Sequence, residues 1–249
     1  MQNDHSATIP THLLLLPGLM CDGDFWLPLQ QGLPDVACQV VDYGEADSLR
    51  AMAEAALAVA PARFALAGHS MGGRVALEIV RMAPSRVQKL ILMDTGYLPR
   101  SDGPAGDTER AGRMALIKLA NDSGVRAMCQ EWVKGMVHPD RLNDSVLIEA
   151  IVAMFTHKDA ERFARQQNAL LTRPDASSVL SGLGMPCLLL CGRQDNWATV
   201  AQHAAMQALA PGAQLSVVEQ AGHMVLMEQP VQTSDVIYKF LKSSAELSC

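Results

Sequence analysis

Phe64-Ala65-Leu66-Ala67-Gly68-His69-Ser70-Met71-Gly72-Gly73 is the most informative stretch of the 249-residue chain. A short apolar run, 64–67, leads into it, and a helical pattern, 72–82, leads out. The period changes from strand to helix across Ser70 with almost no loop between. A serine in so sharp a turn needs a strained backbone, tolerated only if the residues two positions away are small. Gly68 and Gly72 meet that requirement, and Gly73 lets the helix pack closely on the strand. The turn also sets the Ser70 hydroxyl at a helix N-terminus, where unpaired N–H groups favour developing negative charge. Ser70 is a candidate nucleophile, and the Met71 N–H a candidate donor to an oxyanion.

Similar apolar runs recur on either side: 13–16, 38–41, 90–93, 187–190 and 215–218. They are short, nearly continuous, and bounded by Gly, Pro or Asp, as strands buried on both faces of a parallel sheet are. Helical patterns alternate with them, including 48–60, 72–82 and 200–209. This alternation predicts an α/β fold with right-handed crossovers. The stretch 98–171 breaks the rhythm. It holds four helical patterns, 107–120, 123–136, 144–155 and 159–171, and no strand. It reads as an all-helical cap inserted into a core made of 1–97 and 172–249. Residues 146–155 are apolar almost all round and are expected to be buried on both sides.

A serine needs a base and an orienting acid to become a nucleophile. Asp195 stands just past the strand 187–190, at the carboxyl edge that also carries Ser70. His223 follows the strand 215–218 at the same edge, 28 residues after Asp195. The order Ser, Asp, His suits this architecture. Asp94, after the strand 90–93, is the rival acid, with a structural role capping Thr95-Gly96 as its other reading. Of the remaining histidines, His5 and His12 lie before or at the first strand, and His138 and His157 in the cap. His203 is expected on a solvated helix face, and His69 as packing or pocket wall. The second oxyanion donor is expected from the loop after the first strand, at Leu19, with Met20 as the nearby alternative. Met20, Trp26, Trp197 and Met224 are candidate pocket residues, each with core packing as the competing reading. Trp132 is open between pocket and core.

Composition removes other classes. The net charge is −6 and aromatics are 4%, which offers neither a basic footprint nor stacking platforms for nucleic acid. No apolar run approaches the length of a membrane span. Six scattered cysteines without a CxxC pair suggest reduced thiols, no zinc site and a cytoplasmic protein, with Cys249 exposed and incidental. The polar start of the chain lacks the apolar stretch of a secretion signal. The stretch 98–175 holds equal numbers of acidic and basic residues, so net charge gives the cap no preference for anions. Eight of the 14 methionines fall on the candidate site loops or in the cap: Met20, Met71, Met224, Met227, Met114, Met128, Met136 and Met154. Flexible thioethers there predict a broad preference for apolar acyl or alcohol groups.

Taken together, Leu15-Leu16-Pro17-Gly18, Gly68-His69-Ser70-Met71-Gly72-Gly73, Gly192-Arg193-Gln194-Asp195 and Ala221-Gly222-His223-Met224 resemble the α/β-hydrolase family over nearly the whole chain. The segment ending in Glu228-Gln229-Pro230 is similar to the histidine loop of many small cytoplasmic esterases. The resemblance implies Ser70, Asp195 and His223 as nucleophile, acid and base, and a cap where the helical insertion stands. Two departures stand out. Pro17-Gly18 replaces the usual His-Gly, which keeps a backbone donor but removes any role for that histidine side chain. Few residues precede the first strand, so a compact, mostly parallel six-stranded sheet is expected, as in the smaller esterases and hydroxynitrile lyases.

The expectation is a serine esterase acting on small-molecule esters, as a monomer or homodimer, with no metal and no cofactor. Lactonase, thioesterase, C–C bond hydrolase and acyltransferase chemistries use the same apparatus. A hydroxynitrile lyase would add a lysine near the site, for which Lys118, Lys134 and Lys158 are available. A non-catalytic ligand receptor would be expected to have lost one of the three groups.

Overall fold

A computed structural model describes residues 10–243, so His5 and Cys249 lie outside the described residues. Six strands form one sheet in the order β2-β1-β3-β4-β5-β6: β1 (His12–Leu16), β2 (Ala37–Val40), β3 (Phe64–His69), β4 (Val87–Met93), β5 (Cys187–Gly192) and β6 (Gln214–Val218). Every pairing is parallel. The core follows from composition. Leu13 to Leu16, Phe64 to Ala67 and Leu188 to Leu190 are at most 1% exposed, because central strands are covered on both faces. β2 alternates exposed and half-buried residues, as an edge strand with one wet face does.

The sheet's topology sets the site. The chain runs from β1 outward to β2, then returns across β1 to β3. Strand order therefore reverses between β1 and β3, and the loops after these two strands diverge at their carboxyl ends. Such a switch point leaves a crevice where α/β sheets bind ligands. Leu16 of β1 pairs with Gly68 of β3, so the Leu19 loop and Ser70 emerge side by side.

α1 (Gly23–Gln31), α2 (Leu49–Val59) and α3 (Met71–Met82) pack on the sheet. The Ser48 and Asp22 side chains cap α2 and α1. Between β4 and β5 come α4 (Pro104–Trp132), α5 (Ser145–Phe155), α6 (Ala160–Leu171) and the short α7 (Ser177–Ser181). The two helical patterns read at 107–120 and 123–136 are the two halves of α4, which breaks at Gly124 (φ 86°, ψ 160°) and ends at Trp132. α5 corrects an expectation. Leu147, Ile151, Val152, Met154 and Phe155 are buried, but Val146 is 81% exposed. The helix lies in an outer layer, with one face toward α4 and the other toward water.

α8 (Val200–Leu209), α9 (Val225–Glu228) and α10 (Pro230–Lys242) complete the chain. β4 begins three residues before the apolar run that marks it, because Lys89 interrupts the pattern. That lysine is 6% exposed. Its Nζ donates to the carbonyls of Phe240, Leu241 and Ser243 at 2.7–2.8 Å, capping the negative end of α10. Among the described residues no helix is long and apolar enough to cross a membrane. The five described cysteines are unpaired thiols. Replacing Lys89 with Met is expected to lower stability by about 2 kcal/mol in urea unfolding, since three carbonyls lose a charged donor.

Candidate active site

Ser70 has φ 53° and ψ −114°, outside the usual regions for a residue with a side chain. Its neighbours make that conformation possible. A Cβ on Gly68 would stand 2.3 Å from the Gly72 carbonyl oxygen, and one on Gly72 would stand 2.0 Å from that of Leu16. The Ser70 N–H donates to Met93 O at 2.8 Å, and Thr95 Oγ1 donates to Ser70 O at 2.6 Å. The turn is held from β4 as well as by its own glycines.

The ends of β5 and β6 bring two more groups to Ser70. His223 Nε2 lies 2.8 Å from Ser70 Oγ, and His223 Nδ1 lies 2.8 Å from Asp195 Oδ2. Asp195 Oδ1 accepts the N–H groups of Trp197 and Ala198 at 2.8 and 3.0 Å. Burial alone would raise its pKa. The facing His223 and these two N–H donors outweigh it and hold the carboxyl well below the usual range. The loop carrying His223 is tied by Glu228. That buried carboxylate accepts from Gly222 at 2.8 Å, Met224 at 3.3 Å and His138 at 2.6 Å. The His223 N–H donates to Met136 O at 2.6 Å, which joins the loop to the helical segment.

Asp94 does not occupy the position beside His223. It is fully buried with φ 45°, and its Oδ1 accepts the Gly192 N–H at 2.9 Å. Burial, then the nearby Asp195 charge, push its pKa well up from the ordinary carboxylate range. Its structural partner is thus the end of β5 rather than Thr95-Gly96. His203, expected in solvent, is buried. Its Nε2 accepts the Thr95 N–H and its Nδ1 faces Thr199 O. Together with Met206, three residues on, it forms the inner stripe of α8.

His69 packs rather than reacts. It stacks on Phe25 with centroids 4.1 Å apart, and its Nε2 sits 2.8 Å from His223 O. A Cβ on Gly18 would meet its Nδ1 at 2.6 Å, so the ring's position is what requires glycine there. Leu19 and Met71 both line the cavity, and their N–H groups have no protein acceptor among the described residues. The Met20 N–H is taken, donating to Gln166 Oε1 at 2.8 Å.

The cavity above Ser70 has a volume of about 750 Å³. Of the four pocket candidates, Trp197 and Met224 line it. Met20 and Trp26 do not. Both are fully buried in the core, Trp26 on the inward face of α1 and Met20 in the loop that Gln166 holds by its N–H. The methionine expectation is corrected likewise. Of the eight, only Met71, Met136 and Met224 line the cavity, while Met114 is 47% exposed. Aromatic rings supply more of its apolar wall. Trp197 lies edge-on to His223 at 5.0 Å and stacks on Trp132 at 5.6 Å, and Trp132 packs on Phe155 and Phe163. Trp132 therefore faces both pocket and core. The rest of the lining is unexpectedly polar and includes Arg74, Glu109, Arg113, Gln167 and Arg173. One group of potential metal ligands occurs among the described residues, Asp22, Asp24 and His157. Lys158 Nζ already lies 2.6 Å from Asp22, and neither Ser70 nor His223 is a member of the group.

Burial pushes the pKa of His69 down to about 3. An unfolded histidine takes up a proton below about pH 6.5. The neutral ring's contribution is thus complete above that value and lost as pH falls toward about 3, by up to about 1.4 kcal/mol per unit. Urea midpoints are expected to fall on acidification from about pH 7.5 to about pH 5, and His69→Gln to flatten that slope.

Comparison with known proteins identifies the family. The family model described as "Alpha/beta hydrolase family" matches residues 13–236. An sn-1-specific diacylglycerol lipase of Mus musculus is 24% identical over 71% of this chain and 58% of its own length. A pimeloyl-[acyl-carrier protein] methyl ester esterase of Nitrosomonas europaea is 26% identical over 75% and 74%. Among solved structures, a thermophilic esterase from Thermogutta terrifontis superposes with a TM-score of 0.82 at 25% identity, covering 93% of this chain and 89% of that one. An enol-lactonase from Burkholderia xenovorans gives 0.80 at 19% identity over 96% and 94%, a likeness of fold. The chain is a member of the alpha/beta hydrolase family, with that family's fold.

Proposed function

We propose that this hydrolase cleaves carboxylic esters through an acyl-enzyme on Ser70. The observation that carries the reading is the hydrogen-bonded chain Ser70–His223–Asp195 at the floor of the cavity, with both distances at 2.8 Å. Ser70 Oγ attacks the acyl carbon as His223 Nε2 takes its proton. The carbonyl oxygen becomes an oxyanion, which the free N–H groups of Leu19 and Met71 stabilise. His223 returns the proton to the departing alkoxide, releasing the alcohol. A water, deprotonated by the same nitrogen, then attacks the acyl-serine, and His223 returns that proton to the departing Ser70 Oγ as the acid is freed. Asp195 stays ionised, fixes the imidazole tautomer and offsets its positive charge. No step calls on a metal.

Supporting the ester class, similar proteins are named as a methyl ester esterase, a lipase and an esterase. A receptor built on a hydrolase scaffold has no need to keep all three groups in hydrogen-bond register. The unpaired thiols suit a reducing compartment such as the cytoplasm.

An organophosphate is expected to label Ser70 one-to-one, as peptide mass mapping will show. Ser70→Ala should lower kcat/KM on a short-chain chromogenic ester by about a thousandfold or more. Asp195→Asn should lower it by about ten-thousandfold, because it favours the wrong imidazole tautomer. Wild-type levels of turnover in Ser70→Ala would overturn the reading.

A further inference from the structure

Three arginines from separate elements meet on the wall of the cavity above Ser70: Arg74 of α3, Arg113 of α4 and Arg173 just after α6. One carboxylate stands among them. Glu109 accepts Arg113 Nε at 2.9 Å and Arg173 Nη2 at 2.8 Å. Those two guanidinium groups hold its carboxyl down to about 2 against the opposing effect of burial. The cluster thus keeps an excess of two positive charges. Arg74 has no carboxylate within 4.0 Å among the described residues, and its Nη1 donates only to Leu98 O at 2.9 Å. Burial and then the two other arginines push Arg74 down to about 9, so it stays charged at neutral pH while bearing the repulsion.

A second observation points the same way. Gln167 is fully buried on α6 and lines the same cavity. Its Oε1 accepts Arg113 Nη1 at 2.6 Å, which fixes the amide's orientation. The remaining Nε2 is buried with no partner among the described residues. Orphaned buried donors and uncompensated cations are costly, and here both stand on the wall of one cavity, where a single anionic group would complete them.

We infer that substrates of this site carry, besides the ester, an oxyanion (carboxylate or phosphate) that docks on Arg74 and the Gln167 amide within the arginine cluster. The inference rests on the ester-hydrolase reading and names its substrate class. The planar guanidinium fork suits either oxyanion. Counting charges over 98–175 conceals this cluster, since the acids of that stretch face outward more than its arginines do. Asp102, Asp107, Asp122, Asp140 and Glu161 are all exposed.

The test uses the full chain and matched substrates: monomethyl esters of straight-chain dicarboxylic acids of graded length, their neutral dimethyl esters, and methyl esters ending in a phosphate. At one chain length, an anionic ester is expected to exceed its neutral counterpart in kcat/KM by at least about tenfold, mostly through KM. Carboxylate and phosphate arms tell the two oxyanions apart. Arg74→Gln should bring the anionic-to-neutral ratio close to unity, and Arg74→Lys should keep part of it. Free dicarboxylates or alkyl phosphates should also inhibit neutral-ester hydrolysis competitively in the unaltered protein, which needs no variant to fold. Neutral esters turned over with no anionic preference at any length, and no such inhibition, would overturn the inference and leave the ester reading intact. No turnover of any ester would overturn the ester reading itself, and this inference with it.

Discussion

The backbone contact between β1, β3 and the start of α3 is the constraint on which the rest of the molecule depends. The chain must leave β3, turn at Ser70 and enter α3 within van der Waals contact of Leu16 and of itself. Only hydrogen fits on Gly68 and Gly72 at those distances. The strain at Ser70, of order 1–3 kcal/mol, is offset by a sheet whose central strands are wholly buried. Because β1 and β3 are neighbours at the switch point, the same contact delivers the Leu19 loop beside the Ser70 turn.

Around this fixed turn, the other groups are held by polar ties rather than by apolar packing. Asp195 is aimed by two backbone N–H groups, and His223 is aimed by the Glu228 carboxylate and the Met136 carbonyl. Gln166 and Asn168 of α6 bind Met20 N and Asp47 O, tying the helical segment to the core loops. Arg162 and Arg165 add ion pairs to Asp42 and Glu45. Those pairs have one exposed partner and contribute little, whereas the buried Gln166 and Glu228 contacts are directional and position the loops. The same economy explains Asp94. Buried at the end of β4, it accepts the Gly192 N–H and so ties β4 to the end of β5.

Most of the frame was legible along the chain. Strand order in sequence, the turn at Ser70, and the loop positions of Asp195 and His223 all follow from local period and from residues with one structural use. Errors arose where one residue's environment came from elements far away in sequence. His203 reads as a surface helix position until the Thr95 loop covers it. Lys89 reads as a polar boundary just before the apolar run 90–93 until α10 presents its carbonyls. Trp26 and Met20 sit near the right loop in sequence, yet their side chains turn to the core. Val146 matches its apolar neighbours but falls on the outward face of α5.

What the sequence by itself determined is which elements form and which of their ends share an edge of the sheet. Local hydrophobic period and the steric demands of glycine specify those, and they need no knowledge of distant residues. Only the tertiary structure decided which side chains face one another across the cavity. Arg74, Arg113, Gln167 and Arg173 come from separate elements and acquire a common environment only when α4 and α6 pack above the Ser70 turn. A net charge averages over inward and outward faces, and only packing tells the two apart. The apolar pocket expected from methionine counts is, for that reason, a cavity with an aromatic wall and a cationic one.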